Sequence, residues 1–299
     1  MKLYMVNYQN KNLLAIASKE EKFIVPGILE NCPENFKNLD SFLNFEKGDL
    51  RKLKNFINSS KIDEIIISKN KILPPILKTP QNIMCMGLNY EDHIKESEKV
   101  FHKDIKRPKH PIIFTKSSFS INSPYGEIPL RKDVSLELDW ESELALVIGK
   151  PGISIKKEDA YNHVFGYMVL NDISARDIQR NHKQFFLGKS LTGACPIGPC
   201  IVSKDEIKDP HNLNISCKVN NITKQNSNTR YQIFDIPTQI EAISKSTYLA
   251  TGDIIATGTP SGVGFARTPP EFLKDGDIVE CEIESIGKII NKVVDQSYQ

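Results

Sequence analysis

Four acids stand at alternate positions in LELDWESELALVIGK, residues 136–150: Glu137, Asp139, Glu141 and Glu143. A strand points successive side chains to opposite faces. This spacing therefore gathers the four carboxylates on one face and leaves Leu136, Leu138, Trp140, Ser142 and Leu144 on the other. Same-face neighbours lie roughly 7 Å apart, and like charges that close repel unless water or a cation stands among them. The apolar run that follows, residues 145–148, reads as a strand buried on both faces. Acids leading into a buried strand suit a hard divalent cation such as Mg2+, Mn2+ or Ca2+, which prefers oxygen ligands. A solvated acidic face on an edge strand explains the same pattern, and this stretch alone does not choose between the two.

Other stretches carry chemistry of their own. His93 and Glu96, in GLNYEDHIKE, share a face if that segment is helical, and a carboxylate that orients an imidazole makes a general base. A surface helix with an incidental charged pair has the same spacing. Asp172, in NDISARD, falls where a strand yields to a helix, a common place to present a ligand to a pocket. It is equally placed to cap that helix. Arg176 and Gln179 follow within about two turns, and Arg176 has the fork geometry to clamp a carboxylate. The LGKS stretch lacks the upstream glycine and helix of a phosphate loop, so Lys189 fits better as a positive group beside an anionic intermediate. In GDIIATGTPSGVG, residues 252–264, the glycines permit close backbone approach, and the hydroxyls and amides around Thr259 could bind a carboxylate. A tight turn in a β domain is the plainer reading of that loop.

The elements that must position these groups divide the chain in two. Residues 1–75 read as a small α+β unit: strands in MKLYMVNY and LLAIAS joined by an Asn-rich turn, then a helix capped by Asp49 with Leu50, Leu53, Phe56 and Ile57 at helical spacing. Leu73-Pro74-Pro75 and Thr79-Pro80 stiffen a linker. Residues 76–299 carry many short strands with Gly and Pro punctuation, the signature of a mainly β domain with a few helices. Polar residues 97–110 read as a loop over a site. A net charge of +2 without a basic block excludes an electrostatic case for nucleic acid or an anionic membrane. No run approaches the ~20 apolar residues of a membrane span, the N-terminus lacks a signal-peptide core, and six cysteines without a CxxC pair read as buried free thiols. The expectation is a cytoplasmic protein.

Taken in order, GLNYEDH with Glu96 downstream, DWESELALVIGK, NDISARDIQ, GKS and GDIIATGTPSGVG resemble the fumarylacetoacetate hydrolase family over roughly residues 76–295. The tail FLKDGDIVECEIESIGKIINKV resembles the closing strands of that family. The resemblance implies an α+β, mainly β fold: a mixed β-sandwich roll with a small N-terminal domain, usually a homodimer. It implies one Mg2+ or Mn2+ per subunit held by Glu141, Glu143 and Asp172, with Glu137 and Asp139 behind them or solvated. It further implies a catalytic His93–Glu96 pair on a segment that often acts as a lid, Lys189 near the metal-bound oxygens, and substrate contacts from Arg176, Gln179 and Thr259. The expected substrate is a small 2-oxo or 2,4-dioxo acid whose C–C bond is cleaved through a metal-stabilised enolate, as in acylpyruvate hydrolases or oxaloacetate decarboxylases. Two alternatives are a 2-hydroxyhepta-2,4-diene-1,7-dioate isomerase and a non-enzymatic metal-binding scaffold. Residues 190–194 (SLTGA) and 229–234 (TRYQIF) depart from the commoner family sequences, at expected pocket walls.

Overall fold

Strand 142–148 alternates between two cores, and this divides the molecule into layers. In the computed structural model, which describes residues 1–19, 22–46, 49–101 and 106–297, every residue of Ser142–Ile148 is buried. Leu144, Leu146 and Ile148 pack with Ile215, Val279 and Ile283 of a five-stranded sheet on one side. Ala145 and Val147 pack with Leu3, Met5, Phe42 and Leu170 on the other. The strand is central to a larger sheet. It pairs antiparallel with Val164–Asn171 and Ile254–Ala256, and beyond the latter lie Ile83–Gly87 and the edge strand Ile112–Lys116. The architecture is thus the expected α+β, mainly β sandwich.

The same sheet continues into the N-terminal residues. Strand Lys2–Tyr8 pairs antiparallel with Cys195–Ser203, Leu3 lying opposite Ile201. Its own hairpin with Lys11–Lys19 turns at Gln9 and Asn10, both in the left-handed region that matches strand twist. Leu3 and Met5 share one apolar core with Ile197, Ile201 and Leu170, so the proline-rich linker at 73–80 interrupts neither sheet nor core. Asp49 caps helix Leu50–Ser59 as expected, accepting from the Arg51 amide, and Leu53 is its buried anchor. Helix Leu39–Glu46 just before it buries Leu39, Phe42 and Leu43, which stand at helical spacing in the sequence.

Two local readings change. The acids from Glu137 to Glu143 do not share one strand face, because the backbone breaks at Trp140. Leu138–Asp139 pairs with Ser174–Ala175 in a separate two-stranded ladder, and the main strand starts only at Ser142. The break is fixed by Asp139, whose Oδ1 accepts from the Trp140 amide, and by the indole of Trp140, which donates to Gly262 O. The segment read as a loop from Ser97 begins instead as the last turns of helix Glu91–Phe101; residues 102–105 lie outside the described residues. Among the described residues no helix is long and apolar enough to cross a membrane.

Leu3 is fully buried at the junction of the N-terminal strands and the main sheet. Leu3→Ala is expected to cost about 2–5 kcal/mol, lost from a single urea transition monitored by both Trp140 fluorescence and far-UV circular dichroism. An early transition that leaves Trp140 undisturbed would instead show the first 75 residues unfolding by themselves.

Candidate active site

Antiparallel pairing brings the acids together. Glu143 lies opposite Leu170, and Ser142 opposite Asn171, so the start of one strand meets the end of its neighbour. The Asp172 amide donates to Glu141 O, and the Glu141 amide donates to the Asn171 side chain. One carboxylate oxygen from each of Glu141, Glu143 and Asp172 consequently falls within 4.8 Å of the others, all three residues being buried. Helix Arg176–His182 begins after Ala175 with no side-chain cap, so Asp172 is not the capping residue its position also allowed.

Three buried cations surround this cluster. Lys189 Nζ lies 2.6 Å from Glu141 Oε2 and 2.8 Å from Asp172 Oδ2. Arg176 donates from Nη2 to Glu141 Oε1 at 2.6 Å and from Nε to Asp139 Oδ2 at 2.9 Å. Lys116, fully buried, donates to Ile173 O and lies 2.8 Å from Asp172 Oδ1. Burial alone would push the Glu141 carboxyl up, but Lys189 and Arg176 outweigh it and hold it at about 2. Burial also opposes the charge on Lys189, and Asp172 and Glu141 together raise its pKa above the ordinary lysine value.

Glu143 is different. Among the described residues no cation pairs with it; its Oε2 accepts from the Gly258 amide at 2.8 Å. Burial first, then the charges on Asp172 and Glu141, push its carboxyl well above the usual range. Asp172 Oδ1 is buried without a hydrogen bond of proper geometry, despite the nearby Lys116. Four buried acids (Asp139, Glu141, Glu143, Asp172) face three buried bases (Lys116, Arg176, Lys189), so ionising all four would leave one negative charge in surplus. An all-oxygen donor set with an unpaired carboxylate and a spare lone pair fits a hard divalent cation.

Near this cluster stands the His–Glu pair. Helix Glu91–Phe101 carries both residues, with His93 Nδ1 2.7 Å from Glu96 Oε1. The second Glu96 oxygen accepts from the Gly262 amide at 2.8 Å. In the tautomer that donates from Nδ1 to Glu96, Nε2 is left as a base. Phe265 lies edge-on to His93, and its ring sits 4.5 Å beneath the Arg176 guanidinium. His93, Glu141 and Glu143 line one cavity of about 540 Å3; Glu96 is bonded to His93, and Asp172 to Lys189 of the same lining.

The loop at 257–264 serves the protein's own carboxylates. Gly258 N reaches Glu143, Gly262 N reaches Glu96, and the amides of Gly264 and Phe265 reach Asp139. Thr259 lines the cavity, but its hydroxyl donates to Ser142 O and accepts from Gln225. Gly258 and Gly262 both have positive φ, and a Cβ on Gly262 would stand 2.1 Å from Lys224 O. Gln179 lines the cavity and accepts from Arg176, while Glu137 is paired with Arg180 at the rim. Asp139 is not solvated; it is a buried anchor for Arg176.

Sequence reasoning missed Lys116, Asn89 and Gln225. Asn89 is buried and ties the NYEDH turn to Thr257 and Phe234, which sets the start of the His93 helix. Neither 190–194 nor 229–234 contributes a residue to the cavity, contrary to expectation. Ser190 caps the Ser117 amide, and Gln232 lies behind the loop, bonded to Thr257.

A β-sandwich that buries a carboxylate triad opposite an oriented histidine defines a class of enzyme built for small acids. Residues 82–294 match the family of fumarylacetoacetate (FAA) hydrolase C-terminal domains, and the chain belongs to that family. It is 47% identical over 227 residues to oxaloacetate tautomerase YisK of Bacillus subtilis, covering 76% of this chain and 74% of that protein. It is 50% identical over 228 residues to the mitochondrial oxaloacetate tautomerase Fahd2a of Rattus norvegicus, covering 76% and 70%. Among solved structures, a fumarylacetoacetate hydrolase from Exiguobacterium antarcticum superposes with a TM-score of 0.79 at 31% identity, covering 99% of this chain and all of that one. A 2-hydroxyhepta-2,4-diene-1,7-dioate isomerase from Mycobacterium marinum superposes with a TM-score of 0.74 at 26% identity over the whole of both chains. The protein is an enzyme of this family, and the scaffold reading falls.

Because Glu143 lacks a cationic partner, Glu143→Gln is expected to leave the melting temperature in EDTA unchanged or higher. Mn2+ at a hundredfold excess over its Kd should stabilise the parent protein by about 2.7 kcal/mol and the variant by far less. Thermal unfolding with and without Mn2+ makes the comparison; equal stabilisation of both proteins would remove Glu143 from the metal site.

Proposed function

We propose that the protein interconverts the keto and enol forms of oxaloacetate. The observation that carries this reading is that His93, held by Glu96, shares one cavity with Glu141 and Glu143, whose carboxylates cluster with that of Asp172. The tautomerase names of its relatives support the choice of substrate. A divalent cation, Mg2+ or Mn2+, held by Glu141, Glu143 and Asp172 would supply Lewis-acid polarisation of the 2-oxo group and so acidify the neighbouring C–H.

The remaining roles fall to side chains. Arg176 and Gln179 orient the substrate carboxylate. Lys189 places a fixed positive charge beside the oxygen that becomes negative as the enolate forms. His93 Nε2 removes the proton from the third carbon and returns it to the oxygen of the former keto group. Glu96 steadies the imidazolium through Nδ1, and the Gly262 amide keeps Glu96 aimed.

The same oriented imidazole favours a second reading, activation of water for C–C hydrolysis of a 2,4-dioxo acid. Loss of CO2 from oxaloacetate needs no base, so a decarboxylase would not depend on His93. His93→Ala is expected to slow enol-oxaloacetate ketonisation, followed by its ultraviolet absorbance, by about 10²–10⁴-fold. Glu96→Gln should slow it less. Unchanged ketonisation in His93→Ala would sink the base assignment, and hydrolysis of acetylpyruvate without ketonisation of oxaloacetate would select the second reading.

A further inference from the structure

We propose that the cavity also accepts 2-oxo acids whose third carbon carries an aromatic ring, and that the protein interconverts their keto and enol forms. This rests on the tautomerase reading above and extends it to a second class of substrate.

The cavity is built in two chemistries. One wall holds the acids, Lys189, Arg176 and His93; much of the remainder is Met86, Ile112, Phe114, Phe185, Phe265 and Phe272. Its volume of about 540 Å3 lies in the range that takes ligands of drug size, and a four-carbon diacid fills only a small part of it. The four phenylalanines are half-buried rather than sealed in a core, so their surface is available to a ligand.

The rings adjoin the reacting end. Lys189 Nζ sits 5.0 Å over Phe114, which meets Phe185 edge-to-face at 5.4 Å. Phe265 stands between Arg176 and His93. A ring one bond from the carbon that loses its proton would be carried toward these faces, with which aromatic rings pair favourably. Rim cations do not serve this half: Arg180 is paired with Glu137, and Lys183 is exposed.

The chemistry balances without a co-reactant. The C3–H bond breaks to His93, its electron pair becomes the C2–C3 double bond, and the carbonyl π pair moves to oxygen, which takes the proton back. The new double bond is conjugated with the ring, which favours loss of that proton.

The test uses the full chain loaded with Mn2+, with phenylpyruvate as the probe. By calorimetry phenylpyruvate should bind about tenfold or more tightly than pyruvate. Its enol should ketonise faster with protein than without. Phe185→Ala and Phe272→Ala should each lower kcat/KM for phenylpyruvate by about tenfold more than for oxaloacetate. Turnover of oxaloacetate but not of phenylpyruvate, whether or not the latter binds, overturns this proposal alone. Turnover of neither overturns the tautomerase reading and this one with it.

Discussion

Everything in the site follows from three carboxylates forced into one dry space by the antiparallel pairing of two buried strands. Removing charges of one sign from water and crowding them is among the costliest arrangements a fold can hold. The neighbouring elements supply the remedy one cation at a time: Lys116 from the edge strand, Arg176 from a helix start and Lys189 from a one-turn helix. Each reaches Asp172 or Glu141, and none reaches Glu143. The shortfall leaves the site a donor set that could hold a divalent ion.

The chemistry-bearing residues were legible because their types are rare neighbours: acids before an apolar strand, histidine a turn from glutamate. Their arrangement was less so. Strict alternation from Glu137 to Glu143 implied one strand face, but Asp139 hydrogen-bonds its own neighbour and ends that regularity, a local bond that periodicity does not register. Lys116 was hidden for the opposite reason. In IIFTK, hydropathy puts the isoleucines inside and the lysine out, yet Ile112 and Ile113 are exposed on the edge and Lys116 is fully buried. Only the charge of Asp172, distant in sequence, makes that inversion favourable.

The N-terminal residues show how far local signals reach. Both strands and the capped helix were readable from alternation, turn residues and Asp49. Prolines mark a stiff segment but say nothing of pairing across it, and the joining of Lys2–Tyr8 to Cys195–Ser203 is a contact between distant parts of the chain. The departures at 190–194 and 229–234 likewise lie behind the cavity, where they brace backbone rather than touch a ligand.

The loop from Gly258 to Phe265 donates amides to three carboxylates of the site: Glu143 in the acid cluster, Glu96 behind the histidine, and Asp139 bonded to Arg176. One short ribbon of backbone thus acts as a common datum from which His93, Arg176 and the acid cluster are all measured. A displacement of that ribbon would carry all three with it, whatever the side chains around it.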